Sequence, residues 1–310
     1  MIRLRFGIKT APLHATHEAL LDVWREADAL PIFEHAWVND HFMPLGDNPA
    51  GPCLEGWTLL AALAVQTRRL RIGVMVTGNT YRHPAVLAKM AATVDIIAHG
   101  RLNFGIGTGW SEEEHRAYGI PLPPPGERVQ RLGEACEMIQ RLWTEPSVSF
   151  AGRHYQLSEA HCEPKPIQNP HPPFVIGADG ERTLRVVARY ANIWDCSVAS
   201  PEEYRHKSAI LDGYCAAVGR DPTTIERSRH VSVDSSDLHA ALLETRAFID
   251  VGATHIIYHV PVPDPMGILR RLADEVAAPL AAESQEAQDT RSRGRQAARG
   301  DMTSASDDAS

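Results

Sequence analysis

The sequence predicts an α/β fold, a (β/α)8 TIM barrel with an insertion before its fifth strand. Eight short apolar segments alternate with longer segments in which apolar residues recur three and four apart, as on one face of a helix. The apolar segments are mostly continuous, which is typical of parallel strands that helices cover. Eight repeats within 310 residues favour a closed barrel of about 250 residues. A doubly wound open sheet is the alternative.

The elements follow from these patterns in chain order. Helical periodicity is clearest where Leu20, Val23, Trp24 and Ala27 share one face. We predict residues 1–280 to form the barrel, with an insertion at about 145–173 on the strand-end face, and residues 281–310, which lack an apolar period, to form a disordered tail. The predicted strands are Leu4–Ile8, Ala36–Asn39, Leu70–Val76, Leu102–Gly107, Phe174–Ala178, Ile193–Ser197, His230–Val233 and His255–Val260.

Composition narrows the class of protein. A hydrophobic fraction of 44%, a charged fraction of 23% and a net charge of −8 are typical of a soluble globular protein and, without any Lys/Arg run, argue against a nucleic-acid partner. The N-terminus lacks a signal-peptide core, and no apolar run approaches the roughly 18 residues of a membrane span. The five cysteines form no C-x-x-C motif, so we expect reduced, mostly buried thiols in a cytoplasmic protein. They are Cys53, Cys136, Cys162, Cys196 and Cys215.

Asp40 and His41 follow the second predicted strand. In a parallel barrel, strand C-termini open into the catalytic mouth, so both side chains are expected there. An imidazole beside a carboxylate is a plausible proton donor or acceptor. Alternatively, Asp40 caps the next segment and His41 is an ordinary loop residue.

The fourth strand carries alternate glycines and ends in Thr108, Gly109 and Trp110. A lone G-x-G-x-G is a weak dinucleotide signature, and no acidic residue ends a strand about 20 residues later, so we reject a Rossmann site. The glycines instead predict a backbone platform for a ligand at the barrel mouth.

The end of the fifth strand predicts an anion site. Small residues followed by a helix start expose free N–H groups and the positive end of the helix dipole. Arg182 could add a charge-assisted contact. The alternative is an ordinary turn with Asp179 as N-cap. The residues concerned are Gly177, Ala178, Gly180, Arg182 and Thr183.

A metal site is not predicted, although the chain has 15 histidines. His255 and His259, four apart on the last strand, share a face, but no third strand-end ligand accompanies them. His14 and His17 fall in a loop and a helix start.

Taken together, the motifs resemble the luciferase-like oxidoreductases, most closely the branch that uses the deazaflavin coenzyme F420. The resemblance runs in order to about Pro279. It is carried by Asp40–Phe42, Thr80–Ala85, His99–Leu102, Gly105–Trp110, Glu112–His115, Pro125–Arg128, Leu142–Thr144, Pro164–Pro166, Pro172–Pro173 and Ala191–Asp195.

The resemblance implies a cofactor ring at the strand-end mouth, with a non-prolyl cis peptide of the third strand near Val74, Met75 and Val76. It counts these three residues and Thr77 among the cofactor-binding residues. It assigns Thr108, Gly109 and Trp110 to the cofactor loop, and Gly177 to Thr183 to the cofactor's phosphate-bearing side chain. His41 would exchange the proton that accompanies hydride transfer, and Asp40 would hold the ring edge and the His41 tautomer. The resemblance also allows a homodimer.

Two departures bear on the substrate. Sugar-phosphate dehydrogenases of this branch carry glutamates where this chain has Leu13 and Trp110, which makes that activity doubtful and favours a more apolar or planar substrate. Two other functions stay open: an FMN-dependent two-component monooxygenase, and a non-catalytic flavin-binding carrier.

Overall fold

The computed structural model describes residues 3–46, 48–264, 267–286 and 290. Eleven strands occur in this part of the chain, nine of them in one sheet. They are β1 (Arg5–Thr10), β2 (Phe33–Val38), β3 (Arg71–Val74), β4 (Thr77–Gly78), β5 (Leu102–Gly107), β6 (Val148–Ala151), β7 (Gln156–Ala160), β8 (Phe174–Gly177), β9 (Ile193–Cys196), β10 (Glu226–Ser232) and β11 (His255–His259).

The large sheet is parallel throughout and closes on itself. Its strand order is β3-β2-β1-β11-β10-β9-β8-β5-β4, and β3 also pairs with β5 through Ile72–Leu102 and Gly73–Asn103. Because the two-residue β4 follows β3 at the same position in the sheet, the closed barrel has eight strand positions. The predicted barrel is confirmed, and the open-sheet alternative is wrong because no edge is left unpaired at the β3–β5 junction.

Helices cover the outside of the barrel. They are α1 (His17–Ala29), α2 (Gly56–Gln66), α3 (Pro84–Ile97), α4 (Glu112–Ala117), α5 (Pro125–Thr144), α6 (Glu181–Tyr190), α7 (Pro201–Ala217), α8 (Leu238–Asp250) and α9 (Ile268–Leu272). Their buried faces pack on the outward strand residues to form the main core, while Trp37, Met75, Val175, Ile193 and Ile257 fill the barrel interior. Strand residues therefore alternate between the two cores.

Strand boundaries were predicted best where the apolar run is unbroken. The limits of β5 agree residue for residue, whereas β10 begins at Glu226 and not at His230. The start of β10 cannot be recognised from hydrophobicity, because it contains the charged residues Glu226, Arg227 and Arg229.

The predicted insertion lies on a different face from the one expected. It contains the antiparallel hairpin β6–β7, but it begins at the end of α5 and returns to the start of β8, both at the opposite rim from the mouth. Gln168 bonds Arg71 and the Leu102 carbonyl, at the N-terminal ends of β3 and β5, at 2.8 and 2.7 Å. A helix-to-strand connection must start at that rim. Only the hairpin turn reaches towards the mouth, where Tyr155 accepts a 3.1 Å hydrogen bond from Asn79.

The predicted tail is only partly described. Residues 278–286 are helical, and Glu283 forms a 2.6 Å salt bridge with Arg246 of α8, so the ordered chain extends beyond residue 280. Most of residues 287–310 lie outside the described residues.

The thiol prediction agrees with the structure. All five cysteines are free, and four of them are buried, with Cys53 half-buried. Among the helices of the described part, none combines the length and apolar character that a membrane crossing needs.

Candidate active site

The mouth of the barrel collects most of the residues predicted from the sequence. Since all barrel strands are parallel, the segments that follow β2, β3, β5 and β8 emerge at one rim. This rim holds Asp40 and His41, the Met75–Val76 peptide, the loop 108–110 and the turn 177–180.

His41 is held by a carboxylate from a distant part of the chain. Its Nδ1 lies 2.9 Å from Oε2 of Glu114, whose side chain is fully buried. Glu114 also accepts short hydrogen bonds from the Phe42 N–H and the Tyr81 hydroxyl. Burial alone would raise the pKa of Glu114, but these donors lower it. The carboxylate is therefore ionised and accepts the Nδ1 proton of His41, which leaves Nε2 for proton exchange.

Asp40 has a different partner from the one expected. Both of its oxygens are bound by Arg82, at 2.6 and 2.9 Å, and Arg82 also binds Glu55. Asp40 is 2% exposed, and its burial raises its pKa while Arg82 opposes that shift. The prediction that Asp40 sets the His41 tautomer is wrong, because Arg82 occupies its carboxylate and Glu114 takes that role.

The loop after β4 supplies the partners that the sequence reasoning missed. Tyr81 reaches Glu114, Arg82 reaches Asp40, and the Thr80 hydroxyl lies 2.7 Å from Nε2 of His115. In the sequence, Thr80–Ala85 contributes to the family resemblance but gives no role to Tyr81 or Arg82. Glu114 itself stands at the fourth position of a Ser-x-x-Glu segment, and the Ser111 hydroxyl does cap α4, so its spacing suggests only a helix start.

The third strand has a cis peptide bond between Met75 and Val76, within the three residues that the resemblance marked. The glycines of β5 and β8 make room for this bulge: a Cβ on Gly105 would meet the Val74 carbonyl oxygen at 1.9 Å, and Cβ atoms on Gly107 and Gly177 would meet Val76 Cγ2 at 2.8 and 3.0 Å. The alternate glycines thus accommodate the protein's own third strand, and the Val76 side chain packs directly against two of them. We call Gly73, Gly105, Gly107 and Gly177 the glycine side.

Two of the predicted cofactor residues on the third strand do not turn their side chains to the mouth. Val74 belongs to the outer core. Thr77 is fully buried, and its hydroxyl accepts a 2.7 Å hydrogen bond from Nε1 of Trp57. Only their backbone groups are left for a ligand.

The loop after β5 places an aromatic ring beside His41. Trp110 is 63% exposed, and its ring centre lies 5.7 Å from that of His41, edge to face. Gly109 has a φ of +77° and its carbonyl accepts from Arg128. Thr108 makes only a 3.4 Å contact to the Gly109 carbonyl, so its hydroxyl can turn to a ligand.

The turn after β8 matches the expected anion site in part. Gly180, and not Asp179, is the N-cap of α6, and no side chain caps that helix. The Asp179 carboxylate instead accepts from the Ser197 N–H at 2.9 Å. Thr183 is buried, whereas Arg182 is exposed and lines a groove of about 590 Å³ between α5 and α6. Ala178 donates its N–H to the Asp195 carbonyl.

The half of the barrel interior opposite the glycine side carries charged and polar side chains. Consecutive strands β9, β10, β11 and β1 contribute Asp195, His230, His259 and Lys9, which we call the polar arc. Nε2 of His230 lies 2.9 Å from Asp195 Oδ1 and 3.0 Å from the Met75 sulfur, and its Nδ1 lies 3.0 Å from Nε2 of His259. His255, on the same strand face, lies deeper, stacked on His35 at 3.8 Å. The sequence reasoning identified none of the polar arc as functional.

No group of three or more His, Cys, Asp or Glu side chains suited to a metal ion occurs in the part of the chain that the structure describes.

The chain belongs to the luciferase-like monooxygenase family, whose model matches residues 4–310. It is 32% identical over 280 residues to the F420-dependent glucose-6-phosphate dehydrogenase of Microbacterium testaceum, a match that covers 89% of this chain and 81% of that protein. It is 31% identical over 240 residues to the F420-dependent hydroxymycolic acid dehydrogenase of Mycobacterium tuberculosis, covering 77% of this chain and 64% of that protein.

Solved structures share the fold. An F420-dependent secondary alcohol dehydrogenase in complex with an F420-acetone adduct superposes with a TM-score of 0.75 at 18% identity, covering 83% of this chain and 93% of that one. The coenzyme F420-dependent tetrahydromethanopterin reductase of Methanopyrus kandleri has a TM-score of 0.75 at 18% identity, covering 88% of this chain and 98% of that one.

Proposed function

We propose that this chain is an oxidoreductase that transfers a hydride between coenzyme F420 and an organic substrate. The observation that carries the proposal is the His41–Glu114 pair at the carboxyl-end rim of the barrel. F420-dependent dehydrogenases among the relatives support the choice of cofactor.

The residues at the mouth fit a planar cofactor with an anionic side chain. The ring of Trp110, which is 63% exposed and lies beside His41, offers a flat aromatic surface at the mouth. The buried Oδ1 of Asn39, just after β2, has no hydrogen-bond partner among the described residues, so it can accept from a ring N–H. The uncapped N-terminus of α6, with Gly180 and Arg182, would hold a phosphate.

When bound, coenzyme F420 supplies a two-electron hydride donor or acceptor. His41 gives or takes the accompanying proton at Nε2, while Glu114 fixes Nδ1 and stabilises the imidazolium that forms. Tyr81, whose pKa is raised by burial and by Glu114, stays protonated and keeps the carboxylate oriented. Trp110 presents an aromatic wall beside His41, which supports a more apolar or planar substrate than a sugar phosphate.

A turnover screen tests this proposal. We expect one or more alcohols or carbonyl compounds to change the visible absorbance of the cofactor in the presence of the protein. His41→Ala should keep F420 binding and lose turnover. Unchanged turnover in that variant would contradict the assigned role, and binding without any turnover in the wild type would favour a carrier. Turnover only with reduced FMN and oxygen would indicate a monooxygenase.

A further inference from the structure

The polar arc faces the mouth from the side opposite the glycine side. Strand periodicity sets this direction: Gly7 and Lys9 share one face of β1, and a Cβ on Gly7 would collide with His35 inside the barrel. On β11, His255 and Ile257 point inward, so His259 does too. Lys9 and His259 are paired in register across the β1–β11 ladder.

Hydrogen bonding along the arc gives His259 a defined orientation. Burial alone would raise the pKa of Asp195, but His230 and Lys9 lower it, so the carboxylate is ionised. Its Oδ1 lies 2.9 Å from Nε2 of His230 without the alignment of a hydrogen bond. Its negative charge favours the proton on that nitrogen, and Nδ1 of His230 then accepts from Nε2 of His259. Burial lowers the pKa of His230, and burial, Lys9 and His230 lower that of His259 to about 3. Both rings are neutral near pH 7, and Nδ1 of exposed His259 is an acceptor.

Lys9 provides a donor beside this acceptor. Among the described residues, no hydrogen bond or salt bridge holds its ammonium group, and Asp195 acts on it only at longer range. Burial lowers the pKa of Lys9 to about 8, so the group remains mostly protonated at pH 7. The Lys9 charge is balanced by Asp195, and the arc as a whole is close to neutral.

We propose that Lys9, His259, His230 and Asp195 form a substrate subsite that binds an uncharged hydroxyl or carbonyl oxygen. This inference rests on the proposed oxidoreductase function and specifies its substrate. Lys9 donates to the oxygen, and His259 Nδ1 accepts the proton of a hydroxyl. Asp195 and His230 act as positioning residues through His259. An anionic group is disfavoured because Asp195 offsets the only cation of the arc.

The test uses two probes that differ only in the hydroxyl group, 4-fluorophenol and fluorobenzene. Their binding to the F420-loaded protein is followed by ¹⁹F NMR, which also distinguishes phenol from phenolate. We expect 4-fluorophenol to bind about 10-fold more tightly than fluorobenzene, as two hydrogen bonds provide, and to bind as the neutral phenol. Equal affinities, binding as phenolate, or no binding of either probe would overturn the subsite.

Substitutions within the polar arc test whether the preference for the phenol arises there. Lys9→Met and His259→Asn should each remove most of the preference for the phenol, and Asp195→Asn should reduce it by changing the His230 and His259 tautomers, visible in ¹⁵N spectra of the imidazoles. Lys207→Met and His239→Asn, on the outer helices, are the matched controls and should retain it. A preference that survives in Lys9→Met and His259→Asn overturns the assignment. Should Lys9→Met fail to fold, Lys9→Gln replaces it.

F420 binding is measured on the same samples. If the wild-type protein does not bind F420, the proposed function is refuted. The two probes are then measured on the cofactor-free chain, and their relative affinities still decide whether the subsite exists.

Discussion

In the proposed mechanism, Glu114 orients the His41 ring through Nδ1. In Glu114→Gln the neutral amide no longer stabilises a protonated His41, so we expect kcat to fall about 100-fold, within the usual range for a general acid–base group. KM and F420 binding should change little. Steady-state kinetics with a substrate from the screen measures this. Exposed Glu113→Gln is the control, and equal kinetics for both variants would contradict the role of Glu114.

Arg82 neutralises a buried carboxylate. In Arg82→Met, Asp40 loses both of its hydrogen bonds, and the free energy of unfolding should drop by about 3 kcal/mol, as for other buried pairs that lose one partner. Urea denaturation measures the loss. Arg246→Met breaks the exposed pair with Glu283 and should cost under about 1 kcal/mol. Similar losses in the two variants would show that Asp40 is not stabilised by Arg82.

The stacked pair His35 and His255 makes stability depend on pH. Burial lowers the pKa of both well below its ordinary value, so below about pH 6.5 the unfolded chain binds protons that the folded chain does not. Their contribution to the free energy of unfolding is therefore complete above that pH. It is lost as the pH falls, by up to about 1.4 kcal/mol per pH unit for each histidine. Denaturation at pH 5, 6 and 7 should show a shallower slope for His255→Gln. Exposed His239→Gln should keep the wild-type slope; a wild-type slope in His255→Gln as well would refute this origin.

Individual site residues were only partly predictable from the sequence. Asp40 and His41 could be placed at the mouth because they end a strand. Their partners could not, since Arg82 lies 42 positions after Asp40 and Glu114 lies 73 after His41, and only the closed barrel brings them together. The polar arc was missed for a related reason: each member is a single polar residue in a different strand.

At the scale of elements, the third strand and its neighbours depend on glycine. Gly105→Ala would drive a Cβ into the Val74 carbonyl, and we expect a loss of about 3 kcal/mol or more, since a backbone group cannot give way as a side chain can. Gly133→Ala, within α5, meets only Val186 at 3.9 Å and should stabilise by about 0.5–1 kcal/mol. Urea denaturation compares the two. An equally mild effect at Gly105 would contradict the close packing of β3 on β5.

Elements with unbroken apolar runs were predicted well, and those with mixed composition less so. The limits of β5 needed no correction, while the start of β10 was hidden by charged residues. The insertion was assigned to the wrong face, because its Pro- and His-rich composition resembles a functional loop although its position after a helix places both of its ends at the far rim.

For the whole molecule, barrel closure divides the mouth into two unlike halves. The glycine side packs closely on the third strand, whereas the polar arc and the His41–Glu114 pair provide hydrogen-bonding groups at the mouth. Eight strand–helix repeats were enough to predict the barrel, but this asymmetry depends on which strands become neighbours, and that follows only from the closed register.

The central claim is that the mouth binds a deazaflavin, and a titration followed by tryptophan fluorescence tests it most directly. Trp110 stands at the mouth and Trp37 lies in the interior with Met75, so a bound ring should quench their emission. We predict micromolar binding of coenzyme F420 with FMN much weaker, and a smaller quenching amplitude in Trp110→Phe at the same affinity. Tight FMN binding without a response to F420 would contradict the claim, as would silence from both.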